Sequence, residues 1–164
     1  MPRDIWEFPA DPLIGLCPKL LGEREARLVL PLLNAIPGPQ HVPEPAAGWR
    51  PVPGSSSGLR GIMTLRNPKG VVLALFFFAV RGETVSARTL RVPRLRSAEP
   101  VGRHVVFGSL LRAVVGLGVR LDCCEALVLV EDRSCAWRET LAGLLQEGPR
   151  HGFLPSGRNW RRPL

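Results

Sequence analysis

Ten consecutive apolar residues, Val71 to Val80, constrain the fold of this chain more than any other stretch of its sequence. The run includes three adjacent phenylalanines, Phe76 to Phe78, and shows no alternation of polar and apolar residues. A strand without alternation is stable where both faces of its sheet are covered. Ten residues are also about half of the ~20 that a membrane-spanning helix needs. The run therefore predicts a central strand with other elements packed on both of its faces.

Short turns connect this run to a strand on either side. Leu59 to Arg66 alternates before a turn at 67–70, and Thr84 to Val92 follows a turn at 81–83. Turns this short force neighbouring strands to be antiparallel. The sequence therefore predicts a meander of three antiparallel strands.

Three further segments have apolar residues at helical spacing: 23–36, 102–118 and 134–147. Ala126 to Val130 is a short apolar strand between the last two helices. A helix of this length that joins two strands implies a crossover connection and a parallel pair of strands. We expect residues 1–22 to be irregular and to pack over the domain, and the tail from Gly152 to add an edge strand.

Length and composition indicate one globular domain. A chain of 164 residues with 45% hydrophobic residues can bury one core of ordinary size. We expect a single domain over 1–164, with a Pro/Gly/Ser-rich loop at 37–58 and a basic tail at 154–164. Because no apolar segment follows the charged first residues, we expect no signal peptide, no membrane association and a cytoplasmic location.

Short motifs mark the borders of these elements: Leu90-Arg91-Val92-Pro93, Gly102-Arg103-His104, Gly118, Ala126 to Val130 and Gly152-Phe153. The order of elements and these motifs resemble the GNAT-type N-acetyltransferases, which are acyl-CoA-dependent, over about residues 23–153. The resemblance implies an α/β fold with a mixed, mainly antiparallel sheet covered by helices on both faces. It also implies transfer of an acyl group from acetyl-CoA to a primary amine.

The resemblance further implies a site for acetyl-CoA and no metal. In the family, the strand that corresponds to Leu90 to Val92 bulges and splays from its neighbour. The pantetheine arm enters the gap, and a strand N–H polarises the thioester carbonyl. The helix near Gly102, Arg103 and His104 would hold the pyrophosphate, because a helix N-terminus carries partial positive charge and unpaired N–H groups. The family pattern for this loop has Arg or Gln where this chain has Glu99.

The groups that would move protons are less well defined. Many family members use a Tyr on the last helix to protonate the CoA thiolate, but this chain has no tyrosine. The corresponding stretch offers Ser134, Cys135 and Thr140. The acidic candidates for a general base are Glu83, Asp122 and Glu125. Two histidines outside these motifs are interpreted as surface residues: His41 and His151.

Charge and cysteine content leave other functions open. The formal charge is +8, and scattered arginines supply most of the positive charge. Besides an active N-acyltransferase with an amine substrate, we therefore consider a non-catalytic GNAT-like binding module and a basic domain that binds nucleic acid. Four cysteines show no paired C-x-x-C spacing, and adjacent Cys123 and Cys124 would point to opposite faces of a strand. We expect reduced thiols and no metal site.

Overall fold

The computed structural model describes residues 8–11, 15–22, 25, 29, 59–82, 84–98, 104–130 and 137–164. In these ranges one mixed sheet has the strand order β1-β2-β3-β4-β5-β7-β6. Its elements are β1 (Cys17–Leu20), β2 (Arg60–Arg66), β3 (Val72–Arg81), β4 (Thr89–Ser97), α1 (Val105–Arg120), β5 (Glu125–Leu129), α2 (Trp137–Glu147), β6 (Leu154–Ser156) and β7 (Asn159–Pro163). The pair β4–β5 is parallel and the other pairs are antiparallel. The predicted α/β class, with a mixed and mainly antiparallel sheet, is confirmed.

The apolar run forms β3, which lies between β2 and β4 as predicted. Every second residue from Ala74 to Val80 is buried in the main core on the side of α1. Leu75 is fully buried on the opposite face, where it packs with Leu21 and Val29. The absence of alternation in the run therefore reflects burial on both faces of the sheet.

Helices α1 and α2 pack against each other and contribute to the same core. Gly143 of α2 lies so close to the ring of Phe107 that a Cβ at position 143 would be 2.7 Å from ring carbons. Leu144 is fully buried beside this contact. The close approach of the two helices therefore depends on a residue without a side chain at position 143.

On the other face, a buried arginine is anchored by one carboxylate. Arg66 Nη1 and Nη2 donate to the two carboxylate oxygens of Glu25 at 2.8 and 3.0 Å, and Arg66 Nε donates to Thr64 Oγ1 at 2.9 Å. The hydrogen bonds from Arg66 to Glu25 are the main reason that the pKa of Glu25 is lowered from 4.5 to about 2. Glu25 also lies 3.6 Å from the ammonium of Lys19, whose side chain is 59% exposed.

We expect Glu25→Gln to lower the free energy of unfolding by about 1.5–3 kcal/mol at pH 7, because it leaves the buried guanidinium short of acceptors. Since the pKa of Glu25 is lowered on folding, its contribution is present above pH 4.5 and is lost as the pH falls toward 2. Urea unfolding at pH 7 and pH 3 measures both effects. Lys19→Gln is the matched control and should cost less than about 1 kcal/mol. Equal losses for the two variants would contradict this account.

Two strand boundaries differ from the sequence predictions. The predicted strand 84–92 is found at Thr89–Ser97, because Val85–Ala87 forms a 3-10 turn and the strand continues past Pro93. Residues 1–22 were expected to be irregular, but Cys17–Leu20 pairs with β2 as an edge strand. Alternating burial along this short segment supports the pairing.

The C-terminal tail contributes more to the sheet than the predicted edge strand. Its hairpin supplies β6 at the edge and β7 beside β5. Trp160 of β7 is buried in the main core, opposite Val128. In the sequence, the apolar Trp160 within an otherwise basic segment indicated burial of this tail. The many arginines around it made that indication easy to miss.

Several predictions fall on residues outside the described ranges. These are most of helix 23–36, the loop 37–58 and the first residues of both later helices. The prediction that residues 1–164 form one domain is not tested. Within the described residues, no helix is long and apolar enough to cross a membrane. Of the cysteines described, Cys123 is buried, Cys17 and Cys124 are exposed, and none forms a disulfide.

Candidate functional site

The parallel pair of strands separates partway along its length. Residues 89–92 of β4 pair with residues 125–128 of β5, whereas β4 continues to Ser97 and stays paired with β3 throughout. On its other side β5 is paired with β7. The pairing of the two strands therefore ends at Val92 and Val128, one residue before β5 ends at Leu129, and we call the space beside β4 beyond Val92 the gap.

Strand β4 carries one extra residue at the point where this gap begins. Arg91 and Arg94 each pair with a residue of β3. Between these two pairs, β3 has a single residue, Phe78, whereas β4 has two, Val92 and Pro93. Two residues opposite one constitute a β-bulge, which bends its strand and increases the local twist. Pro93 also has no N–H to donate to β5. The bulge therefore lies where the pairing of β4 with β5 ends.

The main chain of Leu95 points into the gap. Ala98 N–H donates to Leu73 O at 2.8 Å, so Ala98 faces β3. Because successive residues of a strand direct their N–H and C=O groups to opposite sides, Leu95, three residues before Ala98, faces away from β3. Its carbonyl accepts a hydrogen bond of 2.9 Å from Arg96 Nη1 in place of a strand partner. The Leu95 N–H is therefore a donor directed between the separated strands.

Helix α1 begins after a short connection from the end of β4. Its first turn closes with a hydrogen bond of 2.9 Å from Gly108 N–H to His104 C=O. The His104 ring lies edge-on to the ring of Phe107, with centroids 6.3 Å apart. Val105, the first residue of the helix, is 57% exposed. The positive end of the α1 dipole therefore follows the carboxyl end of β4 along the chain, with an exposed side chain at its first residue.

The sequence-predicted cofactor residues lie at different depths of this site. Val92 is the last residue of β4 paired with β5, at the start of the gap. Leu90 lies two residues earlier and is fully buried in the core, while Arg91 is exposed on the opposite face. His104 immediately precedes α1. Gly102 and Arg103, like the adjoining Glu99, lie outside the described residues.

The acidic candidates are not gathered at the gap. Glu125 pairs with Thr89 at the amino end of β5, about 10 Å along the strand from Val128. It accepts a hydrogen bond of 3.2 Å from Thr89 Oγ1 and lies 3.6 Å from Arg161 Nη2. Asp122 is exposed in the turn after α1, with a φ of 52°. Glu83, Ser134 and Cys135 lie outside the described residues, and Thr140 is buried in α2.

The sequence interpretation of His151 as a surface residue differs from its position in the structure. Its side chain is 14% exposed and lies 3.7 Å from the carboxylate of Glu147, which is 12% exposed. Both side chains lie against Gly108, where a Cβ would be 3.2 Å from an oxygen of Glu147 and from Nε2 of His151. The i, i+4 spacing of Glu147 and His151 was an available signal. The structure thus places a titratable pair beside the first turns of α1.

Burial lowers the pKa of His151 below 6.5. Arg112 and Arg162 lower the pKa further, while Glu147 raises it. Since the unfolded chain binds this proton more readily, the free energy of unfolding should decrease as the pH falls through 6.5. Urea titrations between pH 5 and pH 8 check this, with His151→Gln reducing the dependence. Glu147→Gln should enlarge it, because the carboxylate supports the protonated ring. Parallel pH curves for all three proteins would contradict the assignment.

Comparison with known proteins identifies the fold. No protein-family model and no curated protein matches the sequence. A chain of the NatC complex, solved with a Gag peptide and CoA, superposes with a TM-score of 0.61 at 13% identity over 91% of this chain and 98% of that one. A protein assigned as a phosphinothricin N-acetyltransferase superposes with a TM-score of 0.59 at 17% identity over the same shares.

The chain has a GNAT-like fold. The split parallel pair, the bulge in β4 and the helix after it occupy corresponding places in the order of elements that the sequence resemblance implied. The GNAT-like fold at these identities says nothing of the substrate, which has to be argued from this chain's own residues.

Proposed function

We propose that this protein transfers an acyl group from acetyl-CoA to a primary amine. The observation that carries the proposal is the gap after Val92 and Val128, into which the Leu95 N–H points. A regular strand would have used that donor for sheet pairing. The gap and the open N-terminus of α1 fit an extended thioester with an anionic end. Of the two structural neighbours, one is named as an N-acetyltransferase, and the NatC complex contains CoA.

Different residues of this chain would take different parts in such a reaction. When bound, acetyl-CoA supplies the thioester carbonyl carbon that the amine nitrogen attacks. The Leu95 N–H would donate to the carbonyl oxygen as negative charge develops there. The first turn of α1, after His104, would bind the pyrophosphate, and Gly102 and Arg103 belong to the same proposed loop. As the C–N bond forms, the C–S bond breaks and its electron pair leaves with sulfur.

The reaction also requires proton transfer. The attacking amine loses one proton and the thiolate gains one. Glu83, Asp122 and Glu125 remain the proposed bases, and Glu125 is held by Thr89 and faces Arg161. Because a thiolate leaves readily without an acid, catalysis does not require the missing tyrosine. A positioned acid or base is worth about 10²–10⁴ in rate, so turnover on simple amines should be slow.

The test is a pH–rate profile for CoA release with a panel of primary amines. The rate should rise with pH as each acceptor amine loses its proton, with no plateau below the amine pKa. Fast turnover near pH 7, with an inflection independent of the acceptor, would show an enzyme base, and Glu125→Gln is then the first variant to measure. CoA binding without turnover on any amine would contradict acyl transfer and favour the non-catalytic binding module.

A further inference from the structure

The face of the sheet opposite α1 carries a row of arginines beside the gap. Arg91 of β4 pairs with Leu127 of β5, which in turn pairs with Arg161 of β7. Paired residues on neighbouring strands direct their side chains to the same face. Their neighbours in the sequence, including Leu90 and Trp160, lie on the other face of the sheet, in the main core. Arg91 and Arg161 are both exposed and about 10 Å apart at their Cα atoms.

The bulge adds a third exposed arginine to this face. Leu95 is buried in the core after the bulge, so Arg94 points to the opposite face. Its guanidinium carbon lies 6.0 Å from the centre of the Phe77 ring. Arg94 is thus on the strand segment that borders the gap, and Arg91 lies just before the bulge. We call Arg91, Arg94 and Arg161 the arginine face.

In the part of the chain that the structure describes, one carboxylate lies close to the arginine face. Glu125 is the acidic residue within β4, β5 and β7, and its carboxylate is 3.6 Å from Arg161. Among the described residues, no carboxylate forms an ion pair with Arg91 or Arg94. Within the described residues of these three strands, the arginine face thus has three guanidinium groups and one carboxylate.

The arginine face lies on the side from which an acceptor would approach. Helix α1 and its positive N-terminus are on the core side, so an acyl-CoA would reach the gap from there. The amine must then approach the thioester carbon from the opposite face, past Arg91 and Arg94. Arginines at that entrance bind carboxylates in paired hydrogen bonds.

We infer that the acceptor is a peptide whose terminal amine is followed by acidic residues, which the arginine face binds. This inference rests on the proposed acyl transfer. A separation of about 10 Å between Arg91 and Arg161 corresponds to three residues of extended peptide. Two acidic side chains three residues apart, close to the acceptor's amine, would therefore reach both ends of the arginine face.

The test compares three peptides that differ in two positions near the amine: Ala-Glu-Gly-Gly-Glu, Ala-Gln-Gly-Gly-Gln and Ala-Lys-Gly-Gly-Lys, each extended by the same neutral sequence. With acetyl-CoA saturating, we expect kcat/KM for the Glu peptide to exceed that for the Gln peptide at least 10-fold, mainly through KM. The preference should shrink as salt is raised from 50 to 500 mM. Arg91→Ala with Arg94→Ala should remove most of it, and Arg91→Glu with Arg94→Glu should favour the Lys peptide.

Controls separate this inference from the proposed function. Arg138→Ala, on α2, removes an exposed arginine and should leave the peptide preference unchanged. Equal kcat/KM for all three peptides, with CoA still released, would overturn the inference and leave acyl transfer intact.

Fluorescence anisotropy of labelled peptides tests binding without turnover. Binding of the Glu peptide without turnover on any amine would support the arginine face and contradict acyl transfer. Displacement of the Glu peptide by single-stranded RNA at lower concentration than by unlabelled peptide would overturn the inference in favour of nucleic acid.

Discussion

Val105→Asp is expected to abolish the rise in melting temperature that CoA produces. With CoA at 100 times its dissociation constant, binding should stabilise the parent protein by about 2.7 kcal/mol, or roughly 5–10 °C. Val105 is 57% exposed at the first position of α1, so its replacement costs no packing. An acidic side chain there stabilises the helix itself but repels a pyrophosphate at the same N-terminus. Differential scanning fluorimetry with and without CoA measures the effect.

The matched control is the same substitution at the other end of α1. Val119 is also 57% exposed, and Val119→Asp adds the same charge away from the proposed site. This variant should keep the full CoA-induced shift, although its own melting temperature should fall slightly, because an acid near a helix C-terminus opposes the dipole. Equal shifts in both variants would exclude the start of α1 as the binding site for the anionic end of CoA.

Deletion of Pro93 is expected to abolish acyl transfer while the protein stays folded. Without Pro93, Val92 alone would oppose Phe78 and β4 would become a regular strand. The core positions Leu90, Val92 and Leu95 would still alternate, so the buried face is preserved. The regular strand could then pair with β5 beyond Val92, which would close the gap and occupy the Leu95 N–H. Loss of such a donor alone costs about 10²–10³ in kcat.

Pro93→Ala is the control for this deletion, since it keeps two residues of β4 opposite one of β3. It should retain turnover and the CoA-induced shift within about threefold, while the deletion loses both. Circular dichroism and urea unfolding establish whether each protein is folded. A folded deletion variant with parental kcat/KM would show that the bulge has no part in the reaction.

The sequence predicted those parts of the fold that depend on local pattern. Helical spacing located α1 to within three residues at each end, and the unbroken apolar run identified the central strand β3. It did not predict β1, because four residues that alternate at a sheet edge resemble an irregular segment. Such a short strand forms through pairing with β2, which is a tertiary interaction.

The resemblance implied a bulge in β4, and the order of side chains in this strand indicates the same feature. Leu90 and Val92 alternate with arginines, but the next buried residue is Leu95 rather than residue 94. A shift of one in the alternation indicates an inserted residue. The strand itself was predicted to end at Val92, before a proline, which rarely lies inside a sheet. A bulge is the exception in which proline costs no ladder hydrogen bond.

The site itself was only partly predictable. The resemblance implied Val92 and His104 as site residues; Val92 lies at the end of the β4–β5 pairing and His104 immediately precedes α1, positions that follow from order along the chain. The order of elements along the chain does not determine which side chains come together in space. Thus Glu125 lies about 10 Å along β5 from the gap. His151, taken as a surface residue, is partly buried beside Glu147.

A crystal structure of the protein with acetyl-CoA tests the central claim most directly. The claim predicts the pantetheine arm between β4 and β5 beyond Val92 and Val128, with the thioester oxygen about 2.7–3.1 Å from the Leu95 nitrogen. The pyrophosphate should contact the main chain at the start of α1. The claim would be contradicted by an acyl-CoA bound away from this gap, or by strands that remain paired through Leu95 at saturating acetyl-CoA.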